Sequence, residues 1–233
     1  MIDPMIPWES LQTSIDGCQT CKSEPLFEIS SKFPCRPPNP KQADRVLLIS
    51  EAPPLTGGFW CFDSEDRLRT NLVRILRELG LNIFGETPKE LLQSFLSQNL
   101  FLLQALKWPF AEDSKGRRLN FNRVPARQQT RLISHGVAKH LSEEIRLLAP
   151  RGLLAMGNAA LASCRSLAKA QTLPEGGVET LRGADYELIL PIGATPLNAT
   201  FLPVDQNLRV SERAAAISAD LEHFLRRMRI AAS

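Results

Sequence analysis

The sequence predicts an α/β fold: a single doubly wound domain with a mostly parallel central sheet flanked by helices. Three observations carry this. Short, largely apolar runs at 46–49, 100–106 and 152–156 read as strands buried on both faces. The stretches between them place apolar residues at helical spacing, as at Leu72, Val73, Ile75, Leu76 and Leu79. The two kinds of segment alternate along 233 residues with no internal repeat, the pattern of strand–helix–strand units in one sheet.

Composition fits one domain spanning residues 1–233, with 1–44 as an N-terminal helix and a Cys/Pro-rich extension. The 43% hydrophobic content is enough for a large core, and a net charge of +3 is too mild to decide a partner by itself. No apolar run approaches a membrane span, and the N-terminus lacks a basic-then-apolar leader pattern. The expectation is a soluble, cytoplasmic monomer with no membrane partner. Five cysteines, an odd number, argue against a full disulfide framework.

Taken in order, residues 1–17 carry Trp8 and Leu11 at helical spacing and end at Gly17. Cys18 and Cys21 follow, two thiols able to grip one metal from a tight turn. Cys35 lies in a proline-rich extended stretch, 33–40. The first strand stops at Ser50-Glu51-Ala52-Pro53-Pro54, where two prolines end both ladder and helix. Gly57 and Gly58 then precede Phe59, Trp60 and Phe62. A loop at the carboxyl end of a parallel strand is where ligands sit. Its carboxylate and rings suit a flat polar ligand, and they equally suit a loop that caps the core.

Helices are predicted over 66–81, ended by Gly80, and over 87–98, capped by Thr87. The strand at 100–106 runs into Lys107-Trp108-Pro109-Phe110. Residues 111–127 have no apolar period and carry Lys115, Arg117, Arg118, Arg123 and Arg127 against Glu112 and Asp113. That density suits phosphate contacts or a solvated surface loop. A long helix over 128–148 leads to the strand at 152–156. Gly157-Asn158-Ala159-Ala160 then opens a helix whose N-terminal amides could serve an anion or simply close packing. A loop at 171–177, strands at 178–181 and 186–191, a proline-containing loop at 193–200 and a final helix over 212–229 capped by Ser211 complete the chain. The loops 50–63, 104–110, 157–160 and 193–200 are expected on one rim of the sheet.

These motifs in this order resemble the uracil-DNA glycosylase superfamily, and most closely its iron–sulfur branch, family four. The resemblance covers roughly residues 15–229 and rests on Cys18-x-x-Cys21, Ser50-Glu51-Ala52-Pro53-Pro54, Gln104-Ala-Leu-Lys107-Trp108-Pro109, Met156-Gly157-Asn158-Ala159-Ala160 and Thr195-Pro196-Leu197. It implies a protein that flips a base out of DNA, stacks it on an aromatic ring and hydrolyses its N-glycosidic bond, the base being uracil or another damaged one. The alternative it implies is an inactive relative that binds nucleic acid or a nucleotide. Glu51 takes the water-orienting role, with Asp63 as the other carboxylate. Phe62, with Trp60 as its rival, takes the stacking role. Gln104 stands where the family has a base-reading asparagine, and Ala52, Pro53, Lys107 and Gly157 complete the substrate contacts. Thr195 replaces the family's catalytic histidine, with Asn198 the nearest other donor. The branch holds its cluster with four cysteines, and here the last two align with Trp108 and about Val137. Cys35, Cys61, His135 or His140 could supply the replacements; a zinc site from Cys18, Cys21, Cys35 and one of those histidines is chemically reasonable, or else a remnant iron–sulfur site.

Overall fold

A computed structural model of the chain describes residues 7–29, 35–40, 45–55, 57–168 and 173–230. Residues 1–6 of the expected first helix, 33–34 of the proline-rich stretch and 171–172 of the expected loop lie outside the described residues.

Five strands form one sheet in the order β2-β1-β3-β5-β4. They are β1 (Val46–Ser50), β2 (Leu100–Gln104), β3 (Gly152–Met156), β4 (Tyr186–Leu190) and β5 (Gly193–Thr200). All pairings are parallel except β4 with β5. Every residue of β1, β2 and β3 is buried, as expected where helices cover both faces of a parallel sheet.

The helices follow from caps and periodicity. Helix α1 (Trp8–Asp16) buries Trp8, Leu11 and Ile15 on one stripe. The Trp8 ring meets Phe101 of β2 edge-on at 5.9 Å, which docks the N-terminal extension onto the sheet. A single turn, α2 (Gln19–Lys22), follows. Helix α3 (Arg67–Glu78) starts at Asp66, whose carboxylate accepts from the Arg69 amide. Helix α4 (Pro88–Ser97) opens on a reciprocal capping box between Thr87 and Glu90, with proline at its first position. Helices α5 (Ala126–Gly136) and α6 (Ser142–Leu148) flank a π-helical turn, Val137–Leu141. Helices α7 (Asn158–Leu167), α8 (Val178–Leu181), α9 (Asp205–Leu208) and α10 (Ser211–Arg227) complete the set.

Four expectations are corrected. The 128–148 helix is continuous in path but holds the π turn in its middle. Residues 178–181 form helix α8, not a strand: Val178 and Leu181, three apart, are both buried on one helical face. Residues 193–200 form strand β5, not a loop. Pro196 is tolerated there because pairing with β3 begins only at Leu197, so its missing N–H falls outside that ladder. Val210, and not Ser211, occupies the cap position of α10.

Candidate functional site

The best-assembled polar cluster lies beside the sheet. Cys18 is the cap residue of α2 and its sulfur accepts from the Cys21 amide, so the Cys-x-x-Cys turn points both thiols the same way. His135 lies in the last turn of α5 and His140 in the π turn. In a regular α-helix five residues rotate by about 500°, leaving two side chains roughly 140° apart. The i→i+5 pattern of a π turn lengthens the turn and brings such residues onto one face. The ligand atoms of Cys18, Cys21, His135 and His140 accordingly lie within 4.8 Å of one another, and this set is able to hold a metal ion. Cys18 Sγ is 3.7 Å from His135 Nε2, and Cys21 Sγ is 3.6 Å from His140 Nε2. Trp108 packs on both cysteines, with Phe27 at its side.

The electrostatics suit a metal more than a bare polar cluster. Burial, then the neighbouring Cys18, pushes the Cys21 thiol up to about 12. Burial, then the Lys107 charge, pushes His140 down to about 4, so its imidazole stays neutral and its nitrogen available. A bound cation supplies the charge that turns such thiols into thiolates.

Cys35 does not belong to this set. It forms a disulfide with Cys61, their Cα atoms 5.2 Å apart, which corrects its expected role as a ligand. Sequence reasoning weighed each histidine as one replacement ligand and missed that they act together. The signal was partial: Cys-x₂-Cys and His-x₄-His each have the spacing of a structural-zinc pair, but more than a hundred residues separate the two pairs, far beyond the usual interval.

The second group lies on the rim where the parallel strands end. Ser50 of β1 is in register with Gln104 of β2, so Glu51 and Gln104 leave the sheet side by side. The Leu106 amide donates to the Glu51 carbonyl and extends the ladder by one step. Burial raises the Glu51 carboxyl above the usual range, opposed by the Phe121 amide donating to Oε1 at 2.8 Å. The Gln104 side-chain amide makes no hydrogen bond among the described residues. Ala52 is half-buried and Pro53 buried beside them, while Phe62 and Asp63 are exposed in the same loop, Phe62 at 53%. Arg69 holds that loop from below, donating to the carbonyls of Phe59, Cys61 and Ser64.

Other expected site residues lie elsewhere. Trp60 is core: it packs on Phe59, Phe95 and Phe101 and its indole donates to the Leu102 carbonyl. Lys107 is buried in an ion pair with Glu144 and donates to the Gln104 carbonyl. Gly157 has φ +92°, a conformation glycine adopts without strain, and its amide donates to the Thr200 carbonyl. Thr195 is buried near the entrance of β5, five residues before the strand's exit, which is about 16 Å at strand rise. Its hydroxyl donates to the Gly193 carbonyl. Asn198 is held in mid-strand, donating to Asp185 and Ala184 and accepting from Arg227. The structure thus brings Glu51, Ala52, Pro53, Phe62 and Gln104 to one rim, and separates Thr195 and Asn198 from it. The rim residues that follow β5 are 201–204.

Glu51→Gln keeps the acceptor for the Phe121 amide and removes a buried charge. A carboxyl with a raised folded value loses stability as pH rises through that range, so the substitution is expected to stabilise at pH 7 by about 1 kcal/mol. Thermal melts at pH 4 and 7 check this; a lower Tm at pH 7 would mean that Glu51 has a structural role.

No protein-family model matches this sequence, and a comparison with curated proteins finds no match.

Proposed function

We propose that this chain is a zinc-bearing, nucleic-acid-binding protein of the uracil-DNA glycosylase type, which receives an unstacked base at the exits of β1 and β2. One observation carries the reading: a segment rich in uncompensated cations is laid across that rim. Residues 111–127 leave β2, donate to Glu51 at the exit of β1 through Phe121, and accept from Asn158 beyond β3 through Asn122. Asp113 neutralises Arg117, whereas Lys115, Arg118, Arg123 and Arg127 have no carboxylate partner among the described residues. Exposed cations on a segment tied to the β1 exit, with the exposed ring of Phe62 in the loop that follows β1, suit a phosphate backbone carrying a splayed base. The amide of Gln104 offers an acceptor and two donors to the edge of that base.

The donor set favours zinc as the resident metal. Tetrahedral coordination at ordinary Zn–S and Zn–N lengths separates sulfur from nitrogen by about 3.6 Å, the spacing of both Cys–His pairs. A four-cysteine cubane lacks two of its thiolates here. A two-iron cluster with one thiolate pair and one imidazole pair would set the pairs on different irons, whereas each sulfur here adjoins a nitrogen. Four protein ligands fill a tetrahedral shell, so the metal's role is structural, tying the Cys18–Cys21 turn to the helix after the basic segment. Hydrolysis is a second reading, favoured by the burial of the Glu51 carboxylate beside Gln104.

The test is binding of labelled single-stranded and duplex oligonucleotides over a salt series. Engagement of the four free cations predicts a slope of log affinity against log salt of about −3 to −4. Absence of binding at low salt to either form would remove the reading. Abasic product from uracil-containing DNA, lost in Glu51→Gln, would establish the hydrolytic one.

A further inference from the structure

The metal cluster and the basic segment are connected at both ends of that segment. At its start, residues 26–28 pair antiparallel with residues 109–111. The Glu28 amide donates to the Pro109 carbonyl and the Ala111 amide to the Leu26 carbonyl, both at 2.9 Å. The rings of Phe27 and Phe110 meet at 5.8 Å. This small ladder hangs directly from the Cys18–Cys21 turn, because the Glu24 amide donates to the Cys21 carbonyl and the Phe27 amide to the Glu24 carbonyl. At the segment's end, Gln129 of α5 donates to the carbonyls of Phe121 and Val124, at 2.9 and 2.8 Å. Gln129 lies on the helix that carries His135. One stem is therefore fastened to the two cysteines, the other to the two histidines.

Between the stems the first part of the segment forms its own hairpin, the Leu119 amide donating to the Ala111 carbonyl and the Asp113 amide to the Arg117 carbonyl. A cavity of about 350 Å³ lies between the two stems, walled by Phe27 and Cys21 on one side and by Leu132, His135 and Gly136 on the other. The ion pair of Glu24 with Arg131 at 2.9 Å crosses that gap, and its arginine is 57% exposed; such a pair contributes about 0–1 kcal/mol. A second cavity of about 300 Å³, lined by Phe121, Gln129, Ile133 and Arg165, borders α5 between the basic segment and α7. Helix α5 thus borders a cavity on two sides, while Leu132 and Ile133 seat it in the core.

We propose that metal occupancy sets the nucleic-acid surface: the metal clamps both stems of the basic segment, so that loading it preorganises residues 111–127 and removing it releases them. The proposal rests on the zinc and nucleic-acid readings above. Ordering the cations in advance lowers the entropy lost when a phosphate backbone docks. By linkage, bound nucleic acid tightens metal retention by the same factor.

Amide hydrogen exchange on the full chain tests this without any nucleic acid. The zinc-loaded protein is compared with protein stripped by a chelator. Residues 111–127 and 24–29 are expected to exchange about tenfold faster after stripping, while β1 and β3 keep their protection. Unchanged exchange at 111–127 in protein shown to have lost its zinc would overturn the proposal. If stripping unfolds the sheet as well, the reciprocal effect decides: retention of zinc against a chelator is expected to tighten about tenfold with bound oligonucleotide in the wild type and less in Gln129→Ala, and unchanged retention in the wild type would overturn the proposal. Oligonucleotide affinity measured on the same samples is expected to fall about tenfold with the metal. Loosening of the segment in a protein that binds no oligonucleotide even when loaded would support the clamp and remove the nucleic-acid reading alone. A chain that takes up no zinc would overturn clamp and zinc reading together.

Discussion

His140→Ala is expected to abolish the proposed zinc binding and to lower the melting temperature by about 10 °C, and chelation of metal-loaded wild-type protein is expected to do the same. The magnitude follows from mass action. Free zinc at about a thousand times its dissociation constant stabilises the folded chain by roughly 4 kcal/mol. In a chain of this size each kcal/mol shifts Tm by about 2–4 °C. His140 is 1% exposed, so truncation also leaves a small cavity, and the chelated wild-type protein separates the two effects. Cys35→Ser is the control. It opens the disulfide with Cys61 yet should leave zinc stoichiometry at one per chain, because Cys35 lies outside the ligand set. Elemental analysis of the purified variants, followed by melts, checks this. Loss of the metal in Cys35→Ser with retention in His140→Ala would reverse the assignment. The pH dependence has a defined sign as well. Metal uptake releases the Cys21 proton, held by a thiol near 12, so affinity rises with pH over the neutral range.

Lys107→Met has the second largest expected effect, a loss of about 3–5 kcal/mol, because it removes the ion-pair partner of the buried Glu144 carboxylate. Glu144 is 1% exposed and retains the Gln12 amide, at 3.2 Å, and the more distant Arg36 charge. Burial lowers the Lys107 ammonium below its ordinary range, with Glu144 opposing the shift, so the ion pair survives by mutual compensation. Replacing both partners, as Lys107→Met with Glu144→Met, is therefore expected to return to within about 1 kcal/mol of wild type. Denaturant titrations of the two single variants and the double variant measure the coupling. Oligonucleotide affinity of the double variant should match the wild type, since Lys107 is turned into the protein and away from the rim. A stable Lys107→Met that no longer binds nucleic acid would restore the substrate-contact role that its place after β2 suggests.

The parts of the fold that periodicity encodes were legible in the sequence. Strands β1, β2 and β3 are apolar runs, β1 and β2 each closing on one polar residue, Ser50 and Gln104. Helices α3 and α4 announce themselves by Asp66 and Thr87 at their starts. The rim loop after β1 follows from Pro53 and Pro54, which no ladder or helix continues. Local rules failed where a neighbour decides. Pro196 looked like a loop marker, yet β5 forms because the proline falls on a stretch paired on one side only. Val178–Leu181 is too short for its period to be read, and burial of two residues three apart settles it as helix. Within the site, the Cys18–Cys21 pair was legible from its spacing, and the placement of Glu51 and Gln104 at the exits of β1 and β2 from the ends of apolar runs. His135 with His140, Trp60 as core and Thr195 at the far end of β5 were not.

By itself, then, the sequence determined the α/β alternation, the cysteine turn and the loops that follow the first two strands, because each depends on residues close together in the chain. Only the tertiary structure decided which groups meet. A π turn puts two histidines five apart onto one face, and folding carries them to cysteines more than a hundred residues away. Cys35 goes instead to Cys61. The exit of a strand, not its nearest motif, sets which side chains reach the rim: β5 passes Thr195 at its entrance and leaves the sheet at Thr200. These are long-range pairings, fixed by packing and register, and no local pattern specifies them.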